Sequence, residues 1–480
     1  MPGSRCHGVP VPRNRLALPD DQDRLVDQTS SPGVAQRLRA DALQILRAGI
    51  AAADPAAAVR HSLQLDDAGV RVGGETVSLA AQGRLILLGA GKAAAEMTTA
   101  ALQLLGDRVS AGSIIVPRGA GGVAAKLPPS ISVWEGDHPL PGVGGMAGAA
   151  EALALARAAG PDDVVLYLLS GGASSLSAAP APGLTLDDLR GATAALLRSG
   201  APIGAVNAVR KHLSTVAGGQ LALAAAPARV LALAVRDVVA VGHDAIGSGP
   251  TLPDPTTFGD ALDVVRQFDV DLPERVIEHL RAGVQGLVAE TPKPGELSNE
   301  AGFHVILSVE HALAGAGKEA RRLGYEVITG PADVQGEARE VAARLVSEAV
   351  TLQARTTQPA ALLWGGETTV TVTGGGRGGR NQELALAAAL ALEDRPGIVI
   401  ASLGTDGRDG PTDAAGGMAD EGTIARGRAK GLDAASFLAE NDSYPYLKAT
   451  GDLIVTGQSG TNVNDLMIAL VSPGSGGGSA

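Results

Sequence analysis

A chain of 480 residues carries one cysteine, Cys6, and few rings: two Trp, four Tyr and four Phe. The single cysteine excludes an intrachain disulfide and a multi-cysteine metal site. The shortage of rings argues against a nucleic-acid surface built on base stacking. No uninterrupted apolar stretch of about 18 residues occurs, so no membrane span is expected. Basic residues (39) are fewer than acidic ones (51), and the net charge of −12 opposes general binding to nucleic acid or anionic membranes. An anionic substrate would need its own local cluster of cations. Residues 1–33 lack an apolar signal core and are expected to form a disordered extension, with a flexible tail at 472–480. Cytoplasm is the expected location, and small molecules the expected partners of a monomer or homodimer.

Glycine, by contrast, is abundant: there are 65, about twice the usual share of roughly 7%. No three-residue period exists, which excludes collagen, and the 45% hydrophobic content excludes wholesale disorder. The glycines cluster between apolar runs, as in loops that hold phosphates or other ligands.

Those runs set the organisation. Val34–Ala57 has helical spacing, with Leu38, Ala42, Ile45 and Leu46 on one face. Short apolar runs at Arg84–Leu88, Ser113–Val116, Ile131–Trp134, Asp163–Leu169 and Arg229–Val235 read as strands separated by helices. This alternation predicts an α/β fold with a mostly parallel, doubly wound sheet. Thr291–Asn299 reads as a linker. A second α/β series follows, with strands expected at Phe303–Val309, Glu326–Thr329, Ala361–Trp364, Thr368–Thr373 and Gly397–Leu403. The expected domains are 34–288 and 303–471, joined by 289–302.

Several constellations could carry chemistry. Gly89-Ala-Gly-Lys-Ala-Ala94 follows a strand and opens a helix. Gly89 and Gly91 would let backbone N–H groups approach an anion, and Lys92 adds a charge. The turn loosely fits a dinucleotide fingerprint, but no acid for the ribose ends the next strand, which runs into Arg118. Ser170-Gly171-Gly172 is a second strand-to-helix turn, suited to a phosphate or carboxylate or simply to capping. Asn207…Arg210-Lys211-His212 on its own reads as a basic surface patch. Asp237 ends a strand, where Mg²⁺ or base chemistry is well placed, and Gly249 and Thr251 follow it. The glycine run 374–379 leads into Arg380, whose planar fork suits a carboxylate or phosphate. Asp406, Asp409 and Asp413 could hold a metal or form an Asx-rich turn.

Taken together and in this order, the motifs GAGKAA (89–94), GDHPLP (136–141), SGG (170–172), VRKHLS (209–214), GSGPTLPDPTTF (247–258), ETPKPG (290–295), GGET (365–368), GGRNQELALA (378–387), GTDGRDGPTDAAG (404–416) and GTNVNDL (460–466) resemble the glycerate 2-kinase family. The resemblance covers about Ala35 to Val471. It implies a larger Rossmann-like domain, a smaller C-terminal MOFRL domain and an active site between them. It implies phosphoryl transfer from ATP, with Mg²⁺, to the 2-hydroxyl of glycerate. It maps the family's functional lysine and arginine to Lys92 and Arg380, and Asp237 is expected to join them in catalysis. Substrate binding is expected of Lys92, Arg380, Ser170, Asn207 and Arg210, with Arg380 clamping the carboxylate. Nucleotide contacts are expected of Gly89, Gly91, Gly171, Gly172, Gly249 and Thr251, and metal contacts of Asp237 and Asp406. Where the family shows Gly-Asp-Asp, this chain has Ala240-Val241-Gly242. Two alternatives stay open: an NAD(P)-dependent hydroxypyruvate reductase, for which Arg118 could meet a 2′-phosphate, and a catalytically impaired binding relative.

Overall fold

A computed structural model describes residues 33–66, 69–120, 122, 126–237 and 242–474. Most of the expected extension, most of the expected tail, and the departing residues Ala240 and Val241 lie outside the described residues.

A small antiparallel sheet is formed by β1 (Leu63–Asp66), β2 (Gly69–Val72) and β3 (Glu75–Val77). The first large sheet contains β4 (Leu85–Ala90), β5 (Val109–Pro117), β6 (Ile131–Gly136), β7 (Val164–Leu169), β8 (Arg229–Val235) and β9 (Glu300–Leu307). Its order is β6-β5-β4-β7-β8-β9 and every pair is parallel. Strands β4 and β7 are buried along their whole length, as expected where helices cover both faces. Numbered within this sheet, the order is 3-2-1-4-5-6, with the topological switch between β4 and β7, where such folds place their ligands.

The second large sheet has the order β10-β11-β15-β12-β13-β14. Its strands are β10 (Glu326–Thr329), β11 (Ala360–Gly366), β12 (Ile398–Gly404), β13 (Gly416–Ala419), β14 (Leu453–Ile454) and β15 (Asp465–Val471). Only β10 and β11 pair in parallel; β15 runs antiparallel between β11 and β12.

Four expectations need correction. The strand near 303–309 does not open the second unit: β9 extends the first sheet beside β8. The expected linker is docked, because Thr291 donates to Asp254 (3.0 Å) and Asn299 donates to the carbonyls of Ala222 and Ala228. The long first helix breaks into Val34–Ala52 and Pro55–Ser62. Pro55 cannot donate within the first helix, and Asp54 caps the second. The first of these helices lies on the second unit: a side chain at Gly49 would meet Leu466 at 2.6 Å, and Arg39 pairs with Asp420 at 2.7 Å. Thr368–Thr373 has β-propensity but forms only an isolated bridge between Thr369 and Glu337. The Glu337 carboxylate takes the amide and hydroxyl of Thr371, so the segment is held by side chains rather than by a ladder. Among the described residues no single helix is long and apolar enough to cross a membrane.

Candidate active site

The switch point is built from the two turns after β4 and β7. Gly91 has φ +130°, and a side chain there would lie 2.2 Å from Ser170 Oγ. Only glycine allows this approach. The amides that follow are all committed: Gly91 donates to Ile115 O, Lys92 to Gly171 O, Ala93 to Ser170 Oγ and Ala94 to Gly91 O. Gly89 lies inside β4. This corrects the expectation that Gly89 and Gly91 offer N–H groups to a phosphate, and that the buried Ser170 hydroxyl awaits a substrate. What the turn does present is the Lys92 ammonium, part-exposed and 3.8 Å from Asp406 of the second unit.

The second turn is more open. Among the described residues the amides of Gly171 and Gly172 have no protein acceptor. A side chain at Gly171 would strike the Asp237 carboxylate at 2.0 Å, and one at Gly172 (φ +82°) would press on His138. Half-buried Asp237 lies two residues beyond β8, and its pKa is pushed up to about 6. Desolvation is the main cause, opposed by Lys92 and reinforced by Glu367.

The helix Ile203–His212 is no basic surface patch. Lys211 is buried between Asp244 (2.6 Å) and Asp254 (3.2 Å). His212 is buried beside Glu290 at 3.0 Å. Asn207 is also corrected as a substrate contact: its amide donates to Ala245 O and its oxygen accepts from Ser248, which in turn meets Ser174 at 2.8 Å. Gly249 and Thr251 are buried beneath the helix Gln220–Ala225, and the Gly249 amide bonds within its own turn, so neither is placed to meet a nucleotide. Only Arg210 of this helix end turns toward open space. Among the described residues its guanidinium has no ion pair or hydrogen-bond partner, and desolvation lowers its pKa. It lines a pocket of about 40 Å³ with Ser174, Ser175, Ser214, Gly247 and Ser248, room for a few waters or one small acid group. Replacing Lys211 with alanine would strand the fully buried Asp254, so we expect a loss of about 3–5 kcal/mol in stability. Thermal unfolding checks this, and an unchanged melting temperature contradicts it.

In the second unit, Arg380 is already clamped. Its Nε and Nη2 donate to Asp465 at 2.6 and 2.9 Å, and Nη1 pairs with Glu367 at 2.8 Å. This corrects the expectation that its fork takes a substrate carboxylate. Most of the glycine run, though not Gly375, is likewise explained by packing. Side chains at Gly374, Gly376 and Gly378 would strike residues 440–443 at 2.4, 2.4 and 2.2 Å. The start of the helix Arg380–Leu392 is closed by Asp409, which accepts from the amides of Asn381 and Gln382. Burial pushes the Asp409 pKa up to about 6.

Beside this loop opens a cleft of about 690 Å³, lined by Thr368, Val372, Gly378, Arg380, Asp406 and Arg408. Among the described residues the Arg408 guanidinium has no partner. The units are tied across the site by Asn464, whose amide donates to Asp237 O (2.7 Å) and Glu367 (3.1 Å). Glu367, Arg408, Asn464 and Asp465 lie in the motifs but carry no individual role in the sequence. The signal available was polar residues at the ends of apolar runs, in GGET and GTNVNDL. No group of three or more His, Cys, Asp or Glu side chains among the described residues forms a metal cage. Asp406, 3.8 Å from Lys92, and Asp237, whose charge Lys92 also favours, do offer hard oxygen donors.

Residues 41–281 match the family described as Domain of unknown function (DUF4147), and residues 360–465 match the MOFRL family. The chain is 41% identical to D-glycerate 2-kinase of Thermotoga maritima, covering 81% of this chain and 91% of that one. It is 38% identical to glycerate 2-kinase of Pyrococcus horikoshii, covering 92% and 98%. The crystal structure of the Thermotoga maritima glycerate kinase superposes with a TM-score of 0.78 at 38% identity, over 91% of this chain and 99% of the other. The chain belongs to the glycerate 2-kinase family, a DUF4147 domain followed by a MOFRL domain.

Proposed function

We propose that the protein transfers the γ-phosphoryl group of ATP to the 2-hydroxyl of D-glycerate, giving 2-phosphoglycerate and ADP. The observation that carries this is Lys92. Its ammonium lies 3.8 Å from Asp406, which lines the large cleft with the unpartnered Arg408, and it acts on His138 together with Arg210 of the small pocket. The carboxylate of glycerate would enter the small pocket, on Arg210, with the rest of the molecule outside it toward Lys92. ATP fits the large cleft, with Arg408 toward its phosphates. The γ-phosphoryl group then lies by Lys92 and the open amides of Gly171 and Gly172.

Phosphoryl transfer needs positioning and clustered positive charge more than covalent chemistry, and this set provides both. Mg²⁺ favours oxygen donors and keeps phosphates among its ligands, so one or two carboxylates suffice. Asp237 and Asp406 are the residues that would hold it, and it would neutralise charge on the ATP phosphates. Arg380 keeps Asp465 and Glu367 compensated behind them. The reductase reading loses its support, because Arg118 is held bidentately by Asp137 at 2.7 and 3.1 Å and the amides after β4 are all committed.

A coupled assay tests the proposal: ADP release with D-glycerate supports it, and NAD(P)H loss with hydroxypyruvate would replace it. Arg210→Ala removes a charged hydrogen bond of about 1.5–3 kcal/mol, so the KM for glycerate rises about 10–100-fold while that for ATP holds. Steady-state kinetics with each substrate varied checks this.

A further inference from the structure

We infer that His138 is the proton acceptor for the substrate hydroxyl, an inference that rests on the phosphoryl-transfer reading above. Its imidazole lies over the open turn after β7: a Cβ at Gly172 would be 3.1 Å from His138 Cδ2 and 3.5 Å from Nε2. Among the described residues neither ring nitrogen has a hydrogen-bond partner. The loop that carries it is fixed. Asp137 is gripped by Arg118, Arg190 donates to Pro141 O at 2.8 Å, and Gly142 packs on the Asp137 carboxylate.

Lys92 faces the imidazole from the turn after β4, and Arg210 faces it from the helix Ile203–His212. On its own loop Asp137 is committed to Arg118, and Asp237 lies against the neighbouring Gly171. Desolvation first, then Lys92 and Arg210, hold the ring below the usual histidine pKa. It is therefore neutral, and able to accept, at pH 7. The two neighbouring cations cannot accept a proton, and Asp237 would be engaged in holding Mg²⁺ when it is bound.

In the step, the 2-hydroxyl oxygen forms a bond to the γ-phosphorus. The bond from that phosphorus to the β,γ-bridging oxygen breaks, and ADP leaves with the electron pair. The hydroxyl proton passes to a ring nitrogen of His138 and from there to water at the rim.

The test uses the full chain with ATP, Mg²⁺ and D-glycerate, comparing the parent with His138→Gln and His138→Ala. The expected result is a kcat about 10²–10³-fold lower with the glycerate KM within about threefold. The acid limb of the kcat–pH profile disappears, and free imidazole restores part of the His138→Ala rate. A kcat within threefold of the parent overturns the inference. So does a raised KM with the acid limb retained, which makes His138 a binding group. A lowered kcat without imidazole rescue, where thermal unfolding shows a lost fold, counts only if His138→Gln keeps its fold and its acid limb, and that result also overturns it. If the parent releases no ADP with D-glycerate, the kinase reading itself fails, which the first measurement reveals separately.

Discussion

Lys92→Ala lowers kcat for glycerate phosphorylation by about 10²–10³-fold, the usual cost of removing one preorganised charge from a developing oxyanion. Its effect on stability is small. The side chain makes one ion pair of 3.8 Å with a part-exposed Asp406, a contact worth about 0–1 kcal/mol. The backbone of the turn is unaffected, because its amides bond to Ile115, Gly171 and Ser170 whatever side chain stands at 92. The substitution therefore separates charge from architecture. Lys92→Arg restores part of the rate, since the charge remains but its shape and reach differ. A Lys92→Ala protein with kcat within threefold of the parent would remove Lys92 from the reaction.

Arg380→Ala acts the other way, through the fold. Asp465 is completely buried at the start of β15, and burial already raises its pKa against the pull of Arg380. Removing the guanidinium leaves that carboxylate, and Glu367 beside it, without compensation. A stranded buried charge costs about 3–5 kcal/mol. Thermal unfolding should show a loss of that size, with activity falling as the Asn464 link from Glu367 to Asp237 loosens. Because Asp465 would regain a neutral state more readily at low pH, the loss shrinks as pH falls toward the range where carboxylates protonate. Arg380→Lys recovers only part, because an ammonium cannot reproduce the two-pronged contact. A stable Arg380→Ala variant with a raised glycerate KM would instead return Arg380 to the substrate carboxylate.

The first unit was largely legible in the sequence. Apolar runs such as VVLYLL, separated by helical spacing, lead directly to a parallel sheet, and the glycines after β4 and β7 mark its switch point. The second unit was less so. DLMIALV is a central strand, buried throughout, yet it follows a polar loop and pairs only with strands far away in sequence. Local pattern carries no record of such partners.

The site divides along the same line. Lys92 stood out because its charge sits at a strand-to-helix turn, whereas Arg210 entered only through the resemblance, its helix end reading as surface charge. Lys211 looked like surface charge, since its acids lie 33 and 43 residues away. The glycine run before Arg380 looked like an anion cradle because glycine that admits a ligand and glycine that admits another backbone are identical in sequence. Distances of 2.2–2.4 Å to residues 440–443 decide between the two.

Phosphoryl transfer to the 2-hydroxyl is tested most directly by a phosphorus NMR spectrum of the parent protein incubated with ATP, Mg²⁺ and D-glycerate. A resonance of 2-phosphoglycerate growing in step with ADP is expected. A resonance of 3-phosphoglycerate, or an unchanged ATP spectrum, would contradict it.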